Sequence, residues 1–195
     1  MIGGEIRIMS FPEERSTADQ ITLRPARSAD ALYLSQWRDE PTVRQFQPLG
    51  RTSLSQLQAE LGRQEMNDLY RGKGDKFQWI IRLEDRPIGW ITLVITNWDH
   101  GLAEMGYALS TSFQRRGLMP QALTQLLAEL FLRTKLERIE ARCAVDNLGS
   151  QRVLERLGFH REGRLRDYFV LRGSRVDNYL YAILRRDFLP TLQEQ

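Results

Sequence analysis

A chain of 195 residues is the length of one domain and can bury a sizeable core unaided. Its 42% hydrophobic and 27% charged residues exclude a disordered chain. The formal net charge of +3, from 28 Lys plus Arg against 25 Asp plus Glu, is too small to argue for nucleic acid by itself.

Within that balance nearly every basic residue is Arg, whose planar fork suits phosphate oxygens. The single cysteine, Cys143, allows no internal disulfide, so a reducing compartment is expected.

Residues 1–20 read as a loosely ordered leader with one short strand-like piece, Ile6 to Met9. The leader carries Glu5, Arg7, Glu13, Glu14, Arg15 and Asp19 and has no apolar run fit for a signal sequence. No stretch approaches the roughly 20 apolar residues of a membrane span, so a cytoplasmic protein is expected.

Ile21 to Arg24 alternates as a strand, and Ser28 then opens a helix with Leu32, Leu34 and Trp37, closed near Pro41. Thr52 or Ser53 caps a second helix carrying Leu54, Leu57 and Leu61. Three extended runs follow, at Phe77 to Leu83, Ile88 to Thr96 and Leu102 to Leu109. They are joined by short turns, which predicts an antiparallel meander.

From Gly117 to about Arg133 the apolar residues fall at helical spacing. Arg138 to Val145 alternates with Ile139, Ala141, Cys143 and Val145 on one side. Asn147 to Leu157 is a short helix expected to turn Val153, Leu154 and Leu157 inward. This strand–helix–strand–helix order implies a parallel crossover attached to the meander. Two last strands flank Arg172-Gly173-Ser174, and residues 189–195 form a tail beyond a domain of residues 21–188.

The most specific segment is Ser110 to Met119, between a strand and the long helix. A helix N-terminus offers unpaired N–H groups and a partial positive charge, Gly117 permits close backbone approach, and Arg115 and Arg116 add charge. Together they predict a pyrophosphate site that fits neither the P-loop nor the dinucleotide-binding glycine pattern.

Gln114-Arg115-Arg116-Gly117-Leu118-Met119 resembles the Gln/Arg-x-x-Gly-x-Gly/Ala motif of the GCN5-related N-acetyltransferase (GNAT) superfamily, with Met119 where Gly or Ala is usual. A second block, Asn147-Leu-Gly-Ser150-Gln-Arg-Val-Leu154-Glu-Arg-Leu157-Gly158-Phe159, is similar to the signature of the RimJ/RimL branch. The likeness covers about Ile21 to Phe188. It implies an α/β GNAT fold, with a mixed, mostly antiparallel seven-stranded sheet, a splayed centre and about four flanking helices.

The resemblance further implies acetyl-CoA as donor, without a metal. Gln114 to Met119 would hold the pyrophosphate, and Leu109 and Asn147 the pantetheine arm. Leu109 would also polarise the acetyl carbonyl through its amide. Ser150, or a water, would donate a proton to the thiolate, because Leu154 stands where many relatives have a tyrosine.

Glu104, a lone carboxylate in an apolar strand, is the expected general base; the competing reading is a salt bridge to a neighbouring Arg. Cys143 reads as inert core, and His100 and His160 show no metal spacing.

For the acceptor, the RimJ/RimL likeness implies a protein N-terminal amine, a ribosomal protein's in particular, attacking directly in a ternary complex. Trp37, Phe46 and Tyr168 are the expected contacts. The scaffold also serves antibiotics, polyamines and amino acids, so small-molecule acceptors stay open. So does a non-catalytic acyl-CoA sensor, against which Glu104 and Ser150 both count.

Nucleic-acid binding through Arg161, Arg164 and Arg166 is not expected, because Glu162 and Asp167 interrupt them. A monomer or homodimer is expected.

Overall fold

The computed structural model describes residues 21–189; the strand expected at Ile6 to Met9 and the C-terminal tail beyond 189 lie outside them. The strands are β1 (Ile21–Pro25), β2 (Lys76–Leu83), β3 (Arg86–Asn97), β4 (Leu102–Leu109), β5 (Arg138–Ala144), β6 (His160–Leu171) and β7 (Ser174–Leu184). The main helices are α1 (Ala31–Asp39), α3 (Leu54–Gln64), α4 (Leu118–Arg133) and α5 (Leu148–Arg156). The four-residue turns α2 (Pro41–Arg44) and α6 (Arg185–Phe188) accompany them.

The strands form one seven-stranded sheet in the order β1-β2-β3-β4-β5-β7-β6. Every neighbouring pair is antiparallel except β4 with β5, which is parallel and pairs only from Leu102–Arg138 to Glu104–Glu140. Beyond Glu104 the two strands part, and that opening organises the site.

Side-chain alternation divides the core in two. Ala103, Met105 and Leu109 of β4 and Ile139, Ala141 and Cys143 of β5 lie on one face. There they join the fully buried stripe of α4, which includes Ala122, Leu123, Leu126, Leu127 and Leu130. On the other face Leu34, Trp37, Val43, Leu57 and Leu61 of the first three helices cover Ile80 and Trp90. These helices cover the β1–β4 half of that face, so the even-numbered residues of β5 fall beyond them.

Helix starts follow their capping chemistry. Ser53 caps α3 by accepting from the Gln56 N–H at 3.2 Å, with the Gln56 side chain bonding back. Leu32 and Leu54 are exposed rather than inward, and in α5 it is Gln151 that joins Leu154 in full burial while Val153 and Leu157 are half-buried. The Gln151 amide donates to the Val145 carbonyl at 2.8 Å, which accounts for a buried polar side chain there.

Asp30, 4% exposed, locks β1 to the start of α1. It takes two 2.6 Å bonds from Arg24 and one of 2.8 Å from the Arg27 N–H. Burial works to raise its pKa, but these bonds and the Arg24 charge hold it below the usual carboxylate range. Its stabilisation is therefore present above the unfolded-state pKa of about 3.9 and lost as pH falls through the lower folded value. Asp30→Asn is expected to cost about 2 kcal/mol at pH 7 and to flatten the acid-side decline. Urea unfolding of both proteins at pH 7 and pH 3 checks this.

Candidate active site

Where β4 and β5 separate, a cleft of about 780 Å³ opens, a volume suited to a small-molecule arm together with a reacting group. Its walls are residues 104–109 of β4, the loop and first turn of α4, residues 141–144 of β5 and the first turn of α5. The segment 42–49 and the pair Tyr168–Phe169 of β6 close it.

β4 presents its backbone to this opening. The Ser110 N–H bonds the Ile88 carbonyl on the β3 side at 2.9 Å. Alternate residues Leu109, Tyr107 and Met105 therefore point their N–H and C=O groups the other way, toward the gap. Two of these carbonyls already have side-chain donors: Gln114 Nε2 bonds Leu109 O at 2.9 Å and Gln47 Nε2 bonds Tyr107 O at 2.8 Å. The edge thus offers amides to an incoming chain of amide groups.

At the upper end, Gly117 is the N-cap of α4 with φ +72, a left-handed value that glycine adopts without strain. The first-turn N–H groups of Leu118 and Met119 have no partners within the helix, and Pro120 has no N–H to leave unpaired. Gln114, Arg115, Gly117, Leu118 and Met119 all line the cleft. Met119 is 6% exposed and its side chain belongs to the main core, so the bulk where Gly or Ala is usual goes inward. Arg116 does not line the cleft; its guanidinium lies 5.7 Å from the Phe113 ring centroid. Arg115 itself takes a left-handed φ of 62.

The same loop is braced against the first helices. Glu40 accepts from Ser110 Oγ at 2.8 Å and from the Thr111 N–H and Oγ1 at 2.6 Å each. Burial tends to raise the Glu40 pKa, but these three donors lower it overall.

At the lower end, Asn147 caps α5 by accepting from the Ser150 N–H at 3.1 Å. Ser150 Oγ lies 2.9 Å from the Tyr107 hydroxyl. Burial raises the Tyr107 pKa, so this phenol stays protonated at neutral pH. Cys143 lies at 3% exposure beside them, and burial pushes its thiol up to about 11, which keeps it from acting as a thiolate nucleophile.

Glu104, on the opposite sheet face from Tyr107, forms an ion pair with Arg142. The salt bridge that competed with a catalytic reading is thus present, while Glu104 also lines the cleft. Phe46 and Tyr168 line it as well, the latter 43% exposed. Trp37 does not: it is buried and stacked on Trp90, with ring centroids 6.2 Å apart, because its helix uses that face to cover the sheet.

Sequence reasoning passed over Tyr107, Arg142, Gln47 and Glu40. Their partners are 38 to 71 residues away in the chain, so no local spacing marks them.

Of the other arginines, Arg164 pairs with Asp177 at 2.6 Å and Arg161 lies 4.6 Å from the Tyr179 ring centroid. Among the described residues no helix is long and apolar enough to cross a membrane.

The split sheet, the amide edge and the glycine-capped helix are the parts of an α/β acyltransferase fold. The chain belongs to the GNAT acetyltransferase family: the acetyltransferase (GNAT) domain model matches residues 20–160. It is an acetyl-CoA-dependent N-acetyltransferase, with relatives in the RimJ/RimL branch.

An uncharacterized N-acetyltransferase p20 of Bacillus licheniformis is 31% identical over 172 residues, 87% of this chain and 96% of the relative. The [ribosomal protein uS5]-alanine N-acetyltransferase of Escherichia coli is 27% identical over 93% of this chain and 96% of its own. The spermidine N-acetyltransferase of Vibrio cholerae, solved with CoA and spermine, shares the fold at a TM-score of 0.77 and 21% identity. That match covers 87% of this chain and 98% of the other.

Proposed function

We propose that this acetyltransferase acts on the N-terminal amine of a protein, a ribosomal protein in particular, in the cytoplasm. The observation that carries the mechanism is the delivery of Glu104 and Ser150 to the same opening from opposite faces of the sheet. The relative that acetylates an alanine of ribosomal protein uS5 supports the acceptor.

In this reading the pyrophosphate rests on the Leu118 and Met119 amides beside Arg115, and the pantetheine arm runs down the exposed edge of β4. Leu109 lies five residues from Glu104, about 16 Å at strand rise, too far for its amide and that carboxylate to serve one carbon. Leu109 therefore bonds the arm, with Asn147 across from it. The Tyr107 N–H, two residues nearer, is the donor placed to polarise the acetyl carbonyl.

The amine enters past Phe46 and Tyr168 and gives a proton to Glu104, directly or through one water. Its nitrogen bonds the carbonyl carbon while the carbon–sulfur bond breaks. Ser150 gives its proton to the departing sulfur and regains one from solvent as the products leave, while Glu104 returns the amine proton to solvent. The Tyr107 hydroxyl, 2.9 Å from Ser150 Oγ, holds the serine at the opening through a bond in which either hydroxyl can donate.

The test is calorimetric titration with acetyl-CoA, coenzyme A and ATP, followed by mass detection of acetylated N-terminal peptides. Tight binding of the first two ligands, weaker ATP and turnover of a peptide are expected. Turnover of an antibiotic or amino acid with no peptide product would replace the acceptor assignment.

A further inference from the structure

A continuous run of alternating charges leads along the sheet to the cleft, where its last two members, Arg142 and Glu104, line the opening. Glu162 accepts from Arg138, with Nη1 to Oε1 at 2.8 Å. Arg138 also holds Glu140, with Nε to Oε1 at 3.0 Å. Glu140 Oε2 lies 3.5 Å from Arg142 Nη2, and Arg142 ends the run on Glu104. Residues 138, 140 and 142 share the sheet face of Glu104, opposite α4, so the strand period itself builds the row.

Three carboxylates against two guanidiniums leave one negative charge on this run. Glu162 stays ionised because the Arg138 bonds hold its pKa below the ordinary value. A single ammonium at Glu104 completes the alternation.

Arg142 is the member that decides the count. It is not a solvated surface arginine: its guanidinium carbon lies 5.5 Å from the centroid of the Tyr168 ring, and its Nε is buried without a hydrogen-bond partner. The charged residues lining the cleft are Glu104, Asp146, Arg115 and Arg142, which sum to zero. Without Arg142 the cleft lining would carry a net negative charge and the run that ends at Glu104 two, a match for a diamine or polyamine.

We propose that Arg142 is a specificity-determining residue that admits an amine with no second positive charge nearby, a peptide N-terminus, and rejects polyamines. This rests on the reading that the acceptor amine is deprotonated at Glu104. Rejection comes from an unmatched cation rather than from shape. The second ammonium of a polyamine lies a few methylenes from the first and meets the Arg142 charge instead of a carboxylate.

The experiment compares kcat/KM for a lysine-free peptide with N-terminal alanine or serine against spermidine. The proteins are the wild type, Arg142→Gln and Arg142→Lys, with acetyl-CoA affinity measured in parallel. The wild type is expected to prefer the peptide. Arg142→Gln should shift the peptide-to-spermidine ratio toward spermidine by about tenfold or more with acetyl-CoA affinity unchanged, and Arg142→Lys should keep most of the discrimination.

Preference of the wild type for spermidine overturns the proposal. So does a ratio in Arg142→Gln within about twofold of wild type. If Arg142→Gln fails to fold, salt serves instead: rising ionic strength should erode the wild-type discrimination, and a flat response overturns the proposal. A wild type that binds acetyl-CoA yet acetylates neither acceptor removes the acceptor reading itself, an outcome distinct from an unchanged ratio.

Discussion

Gly117→Asp is expected to weaken acetyl-CoA binding by at least about 100-fold while leaving the protein folded. Gly117 adopts φ +72, and a Cβ built there meets no atom within 4 Å, so the protein itself has room for the side chain. The backbone strain is about 1–2 kcal/mol for an L residue and least for Asp or Asn. Asp is also a favourable N-cap, which offsets part of it.

What the carboxylate disturbs is the ligand. It stands at the end of α4 whose free amides and partial positive charge are to receive the pyrophosphate. Two like charges about 4 Å apart repel by roughly 4 kcal/mol at an effective dielectric of about 20.

Gly117→Asn separates charge from bulk, since it has nearly the same volume and no charge, and should lose only about tenfold. Calorimetric titration and a thermal melt of each variant decide the matter. Wild-type affinity in both would move the pyrophosphate away from this loop. Equal losses in both would make the effect steric.

What could be read from the sequence and what could not divides along a physical line. Strand alternation in β4 and β5 and the apolar stripe of α4 are local periodicities, so element order and the position of the loop before α4 follow from them. Asn147 as an N-cap and Gly117 at a helix start are local as well.

The missing parts are contacts across the gap. Arg142 meets Glu104 because β4 and β5 are parallel with Glu104 opposite Glu140, which puts the next even residue of β5 beside it. The sequence shows the alternation but not the register, and a shift by one residue would have turned Arg142 to the other face.

Trp37 shows the reverse error. An aromatic residue in the first helix looks available to a substrate, but its helix needs that side chain to cover Trp90. Tyr107 is hidden for the same reason as Arg142: its hydroxyl finds Ser150 only once α5 is placed against the open edge.

Glu104→Gln is expected to lower kcat by about 100-fold or more and to leave acetyl-CoA affinity within about twofold of wild type. The two readouts separate because Glu104 lies at the fork of β4 and β5, at the far end of β4 from Leu109 and the α4 loop that follows it. Glutamine keeps the length and one acceptor oxygen but neither accepts a proton nor balances Arg142. The loss should therefore fall on the chemical step.

Ground-state disruption is controlled for by Arg142→Gln, which breaks the same ion pair while keeping the carboxylate. A base role predicts that Glu104→Gln is much the slower of the two in single-turnover acetylation at saturating acetyl-CoA. The acidic limb of its pH–rate profile should also disappear, since that limb reports the base in the ternary complex. If the variants slow equally, the ion pair and not the proton transfer is what the site requires. If Glu104→Gln turns over at the wild-type rate, the amine loses its proton to solvent and Glu104 serves only to hold Arg142 in place.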